Sequence, residues 1–271
     1  MARVHAISDP NYVSAQYRNA SSLNARIRLH QKFSTNPYGW QRWLFDQMKF
    51  PQRGRILELG CGPGSLWQDN LQRIPHGLQL NLSDFSPGMV SQARANLNVH
   101  SGFQQFACID AQAISFSSSC FDAVIANHML YHIPDLGKAL LEIQRVLKPG
   151  GHFYASTIGQ NHLHELTNLV TQFDPRLVAV GSIPDDSFTL ENGSDVLGTY
   201  FSEVSLHRYI DSLLVTEVNP LVDYILSGRI EVAYDQRSEL AMFVERVLKE
   251  NGGKFYITKD SGVFESNKIE G

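Results

Sequence analysis

At 271 residues the chain is long enough to bury a full core, read here as one α/β domain with an added cap. Its 23 basic and 27 acidic side chains leave a formal charge of −4, which argues against a dedicated nucleic-acid-binding surface. No uninterrupted apolar stretch is long enough to cross a bilayer, and the opening MARVHAISDPNY lacks the apolar core of a secretory signal; a cytoplasmic setting without a membrane partner is expected.

Residues 1–50 contain little β pattern but many aromatics, among them Tyr12, Tyr17, Phe33, Tyr38, Trp40, Trp43 and Phe45. They read as a helical cap on the carboxyl edge of a sheet. The run RILELGCGPGSL at Arg55–Leu66 follows. Ile56, Leu57 and Leu59 suit a buried parallel strand, and glycines at 60, 62 and 64 permit a tight turn and close approach of a ligand. The dinucleotide fingerprint needs glycine at 65, where Ser65 stands, and no Gly-Lys-Ser/Thr of a phosphate-binding loop follows.

From Arg55 to Ile158 strands and helices alternate, the mark of a parallel sheet covered on both faces. Strands are expected near Arg55–Leu59, Gln79–Ser83, Phe103–Ile109, Phe121–Ala126 and His152–Thr157. Helices are expected near Ser65–Arg73, Pro87–Asn96 (with Ser86 as N-cap) and Asp135–Leu147, the last stopped by Pro149-Gly150-Gly151. Residues 159–202 read as a cap insertion with a helix near His162–Phe173 and the turn-rich DPRLVAVGSIPDD. Residues 203–271 return to the core: strand Val204–Ile210, helices Pro220–Ser227 and Ser238–Asn251, strand Lys254–Thr258.

Asp84 ends the second strand, in NLSDFS, where an acid can accept hydrogen bonds from two ribose hydroxyls, and Phe85 and Met89 are placed to flank an adenine. The third strand ends at Asp110-Ala111 and the fourth at Asn127. The order ILELGCGPG, LSDFSPGM, IDA, FDAVIANHMLYHI and LKPGG, over residues 55–158, resembles the class I S-adenosylmethionine-dependent methyltransferases of small molecules. The E-x-G-x-G-x-G run is similar to motif I of that family. The resemblance implies a Rossmann-like seven-stranded sheet, mostly parallel, whose reversed last strand lies between two parallel ones. It implies S-adenosylmethionine as cofactor, with S-adenosylhomocysteine as product.

The same resemblance gives Glu58 the methionine amino group, and Gly60, Cys61 and Gly62 the turn around the methionine and ribose. Asp110 then accepts from the adenine amino group, the Ala111 amide faces the ring, and Asn127 lies beside the cofactor. His128 is the first candidate for a general base and His132 the second. Tyr12, Tyr17, Trp40 and Tyr131 are candidates for the acceptor pocket. The expected activity is methyl transfer to N, O or C of a small molecule.

Four other readings compete. A nucleic-acid methylator is disfavoured because Asn127 is followed by His128-Met129-Leu130 and not by Pro-Pro-aromatic, whereas a protein methylator and a non-catalytic cofactor binder remain open. A nicotinamide-dependent oxidoreductase is disfavoured by Ser65. No metal is expected, since His128/His132 and His162/His164 lack the ligand pattern of a zinc protease. Cys61, Cys108 and Cys120 show no CxxC spacing and read as buried free thiols. The oligomeric state has no signature in the sequence.

Overall fold

The structure is a computed structural model and describes residues 20–97, 104–175, 187–227 and 236–269. Its strands are β1 (Gly54–Leu59), β2 (Leu78–Asp84), β3 (Gln104–Cys108), β4 (Phe121–Asn127), β5 (Leu147–Ile158), β6 (Ser202–Val215) and β7 (Phe255–Asn267). They form one sheet in the order β3-β2-β1-β4-β5-β7-β6. β1 to β5 pair in parallel, and β7 runs antiparallel to both β5 and β6. The reversed last strand lies between two parallel ones, as the resemblance implies.

The helices among the described residues are α1 (Ala20–Phe33), α2 (Trp40–Asp46), α3 (Ser65–Gln68), α4 (Pro87–Leu97), α5 (Leu136–Val146), α6 (His164–Phe173), α7 (Gly193–Gly198), α8 (Val218–Leu226) and α9 (Arg237–Glu250). Alternate residues of each central strand serve opposite faces. Leu57, Leu59, Val124, Ala126, Phe153 and Ala155 pack with Ala139, Leu140, Ile143 and Val146 of α5. Ile56, Leu80, Leu82, Ala123, Ile125 and Tyr154 pack on the other face with Leu44, Phe45, Leu66, Trp67, Ala93 and Leu97 of α2, α3 and α4. Both faces are covered, which is why these strands read as nearly continuous apolar runs. Asp135 caps α5 by accepting from the Lys138 amide at 3.0 Å.

A third core gives the molecule its cap. β5 ends at Ile158, opposite Ser261, but β6 and β7 keep pairing from Ile210–Asp260 out to Val215–Phe255. This overhang at the carboxyl edge carries Leu213, Val215 and Ile257, which bury against Leu29 and Phe33 of α1, Leu166 and Val170 of α6, Leu221 and Ile225 of α8, and Leu240 and Val244 of α9. A bridge from Ser34 to Leu213 ties the end of α1 to β6.

Several expectations are corrected. The last strand does not stop at Thr258: it continues through Ser261-Gly262, a pair that looks like a turn. A Cβ at Gly262 would lie 2.7 Å from the His207 carbonyl oxygen, so glycine there permits close approach of β6. The expected helix Ser65–Arg73 is a single turn followed by a 3-10 turn at Leu71–Arg73. Buried Asn70 donates its side-chain amide to the Leu66 and Gln41 carbonyls (2.8 and 3.0 Å) and so competes with the helical ladder. All three cysteines are free, but only Cys61 is buried; Cys120 is half-buried and Cys108 exposed, because β3 is an edge strand. Phe103 and most of the DPRLVAVGSIPDD segment lie outside the described residues. No helix among the described residues is long and apolar enough to cross a membrane.

Candidate active site

The strand order reverses between β1 and β4, and open α/β sheets bind ligands at the carboxyl ends of strands flanking such a switch point. The turn after β1 is left-handed at three alternate residues: Gly60 at φ +66°, Gly62 at φ +53° and Gly64 at φ +81°. A Cβ on Gly60 would meet Met129 Cβ at 2.8 Å, so this glycine lets the β1 turn and the segment after β4 touch. A Cβ on Gly62 would meet nothing within 4 Å, so the turn faces open space there. Cys61 is buried, and its amide donates to the Ser83 carbonyl at 2.8 Å.

Asp84 stands across this turn. One carboxylate oxygen accepts from the Gly62 amide at 2.9 Å and the other from the Ser86 amide at 2.8 Å, which leaves each oxygen a further lone pair. Burial raises the Asp84 pKa, and the two amide bonds oppose that rise. Glu58 is 1% exposed and accepts from Trp67 Nε1 at 2.7 Å. Burial pushes its pKa up to about 8; the Trp67 bond works against the shift and the nearby Asp84 adds to it. Two acids bonded here only by neutral N–H donors, facing a glycine turn with free space, fit a ligand that is cationic and carries hydroxyls.

The outer strands continue the row. Asp110 accepts from both the amide and the side-chain nitrogen of Gln112 (2.8 and 3.1 Å), an Asx turn that fixes the carboxylate. Ala111 and Met89 are buried, whereas Phe85 is exposed beside Asp84. Asn127 closes β4. Its Oδ1 accepts from Ser156 Oγ at 2.7 Å and from Trp40 Nε1 at 3.3 Å. Trp40 thereby links the cap to the end of β4, and its ring lies 4.8 Å from that of His128.

His128 has φ +54°, a conformation that costs a residue with a Cβ about 1–3 kcal/mol and recurs at functional sites. It is held by its amide, which donates to Ser156 Oγ at 2.9 Å. Burial lowers its pKa to about 4, with Lys259 adding to the shift, so it is neutral at pH 7. His132 and Tyr131 are half-buried on the 3-10 turn Leu130–His132, their rings 4.6 Å apart. Tyr12 and Tyr17 lie outside the described residues.

Glu58, Asp84, Asp110 and Asn127 thus lie at the ends of four neighbouring strands, β3-β2-β1-β4, while Met89 stands on α4. Trp67 and Ser156 were missed. They orient Glu58, Asn127 and His128, yet in sequence they read as a helix-core aromatic and a strand hydroxyl. Also missed were His30, Tyr209 and Lys259, which the overhang brings toward His128. Among the described residues, no group of three or more His, Cys, Asp or Glu side chains is arranged to hold a metal.

A doubly wound sheet with a glycine turn facing an acid at the next strand end defines a Rossmann-like nucleotide-binding protein. Residues 57–155 match the family described as a methyltransferase domain. The chain is 26% identical over 87% of its length to the biotin biosynthesis bifunctional protein BioHC of Saccharophagus degradans, covering 44% of that protein. It is 31% identical over 46% of its length to the malonyl-acyl-carrier-protein O-methyltransferase of Pseudescherichia vulneris, covering 47% of it. Among solved structures, phosphoethanolamine N-methyltransferase 2 of Haemonchus contortus, in complex with S-adenosyl-L-methionine, superposes with a TM-score of 0.59 at 18% identity. That match covers 96% of this chain and 59% of the other. The chain spans about half the length, or less, of the curated relatives it matches. Over residues 57–155 the chain is thus similar to the class I S-adenosylmethionine-dependent methyltransferases, and S-adenosylmethionine is the cofactor that the site fits.

Proposed function

We propose that the chain is an enzyme that transfers the methyl group of S-adenosylmethionine to N, O or C of a small-molecule acceptor. The observation that carries this reading is Trp40. From the cap it bonds Asn127 and lies against His128, roofing the strand end where an acceptor would meet the methyl group. A roof of this kind limits the acceptor's size and excludes water. The related proteins are named as O- and N-methyltransferases, so kinship does not choose the accepting atom.

In this reading Asp84 takes the ribose hydroxyls, Glu58 the methionine ammonium and Asp110 the adenine amino group, with the Ala111 amide facing the ring. Phe85 and Met89 flank the adenine, and Gly60, Cys61 and Gly62 wrap the methionine portion. The cofactor supplies an electrophilic methyl on a positively charged sulfur that leaves as a neutral thioether. The chain's share is chiefly positioning: Trp40, Tyr131 and Asn127 hold the acceptor's lone pair in line behind the methyl carbon. His128, neutral at pH 7, is the first choice to receive the acceptor's proton, with His132 second.

The test is incubation of the full chain with methyl-labelled cofactor and a metabolite extract. Label in a small organic product is the expected result. Label confined to a protein fraction would favour the protein-methylating reading, and tight cofactor binding with no transfer to any fraction would favour a non-catalytic binder. Either outcome defeats the proposal.

A further inference from the structure

Beyond the end of β4, the overhang brings together basic and hydrogen-bond-donating groups from five separate segments. His30 comes from α1, His128 from the turn after β4, His162 from the segment before α6, Tyr209 from β6 and Lys259 from β7. The His30 and His162 rings stack with centroids 6.5 Å apart, and His30 meets Tyr224 edge-on at 5.8 Å. Trp40 joins the group to the cofactor side, 4.8 Å from His128 and 5.5 Å from Tyr209. All three histidines stay half-buried.

The chemistry of the group is one-sided. His162 Nδ1 accepts from the Asp260 amide at 3.1 Å, so its neutral ring carries the proton on Nε2 and presents a donor. The buried Tyr209 hydroxyl is approached by the Gly39 amide, which leaves its own O–H free to donate. Lys259, its side chain 9% exposed, pairs with Asp211 and has further N–H donors beyond that bond. The carboxylates carried by the same elements are engaged. Asp211 also accepts from Ser34 Oγ at 2.6 Å and the Asn36 amide at 3.0 Å. Asp260 is held by Arg208 at 2.6 Å, and Glu165 by the Thr258 amide and hydroxyl at 2.8 and 2.6 Å. The face of Tyr209, which with Trp40 and Trp43 would suit a cationic ligand, is already taken by Lys259 Nζ, 5.5 Å from the ring centre.

We propose that this cluster is an acceptor subsite for an oxyanion, a carboxylate or phosphate on the small molecule, seated among His30, His162, Tyr209 and Lys259. The inference rests on the methyltransferase reading for its link to chemistry, and its test is separable from that reading. The bound anion uses the donors left over by the protein. It also favours protonation of histidines that burial keeps neutral, His30 with its pKa near 3 and His162 with its pKa well below the usual range. An acceptor anchored here by its anionic end can reach toward Trp40, Asn127 and His128 with the atom to be methylated.

The experiment uses the full chain saturated with S-adenosylhomocysteine and three probes at constant ionic strength: succinate, inorganic phosphate and tetramethylammonium. Binding is read by calorimetry and by tryptophan fluorescence. Succinate or phosphate should bind, the stronger of the two naming the source of the oxyanion, and tetramethylammonium should not. Asp211→Asn leaves the Lys259 charge uncompensated and should tighten anion binding at least about threefold. His30→Gln and His162→Gln should each weaken it about tenfold, with S-adenosylhomocysteine affinity unchanged. No anion binding at tens of millimolar, preferential binding of tetramethylammonium, or an anion affinity that none of the three variants moves would each overturn the subsite while leaving the cofactor site intact. Failure of S-adenosylhomocysteine itself to bind would overturn the methyltransferase reading and the subsite with it.

Discussion

Glu58 carries an unusual burden for a single side chain. It is buried, takes one hydrogen bond from Trp67, and has a pKa near 8, so without a cation beside it the carboxyl is protonated at pH 7. In the proposed role its ionised form receives the methionine ammonium, and binding must therefore expel a proton. The affinity for S-adenosylhomocysteine should climb with pH, approaching tenfold per unit below about pH 8, and flatten above it. Calorimetry in buffers of different ionisation enthalpy should detect about one proton released per ligand bound near pH 7. Glu58→Gln should weaken binding and remove the slope. A flat wild-type profile between pH 6 and 8 would take Glu58 away from the ammonium.

At the scale of elements, the turn after β1 separates folding from binding within three residues. Gly60→Ala puts a Cβ into Met129 at a left-handed position, and a cost of about 1–3 kcal/mol in urea unfolding is expected. Gly62→Ala has the left-handed φ but no clash, so its stability cost should be nearer 1 kcal/mol, while cofactor affinity falls because the methyl group enters the open space. Equal losses of stability with unchanged cofactor binding would contradict that division. The same turn explains what could be read in the sequence. β1, β2 and β4 are buried on both faces, so their ends, and with them Glu58, Asp84 and Asn127, can be located by pattern, whereas Asp110 beyond the edge strand β3 is picked out only by the family resemblance. In sequence β7 reads short because Ser261-Gly262 has the composition of a turn, and only its pairing with two neighbours carries it through. In sequence α3 reads too long because the carbonyl contacts of Asn70 leave no pattern in the residues. His30, His162 and Lys259 meet only when β6 and β7 overhang the sheet. No periodicity links residues so far apart.

For the whole molecule, that meeting of histidines at the joint between cap and sheet predicts how the protein responds to acid. His30, His128 and His162 are neutral in the folded state, with pKa values of about 3 and about 4 for the first two and a lowered value for the third. In the unfolded chain each takes up a proton near pH 6.5. The unfolded state therefore binds more protons in this window. The stability these groups contribute is complete above about pH 6.5 and falls as pH drops toward 4, by up to about 1.4 kcal/mol per unit for each histidine, less solvent screening. Glu58 acts in the opposite sense. Its folded pKa is raised, so its contribution is present below the unfolded carboxylate value and is lost as pH rises toward about 8. The stability profile should rise steeply from pH 4, peak near pH 6.5 and decline gently to pH 8, as followed by the urea midpoint. Replacing His30 and His162 by Gln should remove up to two protons from the acid slope and leave the alkaline limb in place. An acid slope unchanged in that double variant would mean that these histidines are not held neutral in the folded protein. The cap–sheet joint would then owe its acid sensitivity to the Asp211 carboxylate, whose pKa, despite burial, is lowered by its bonds to Lys259 and Ser34.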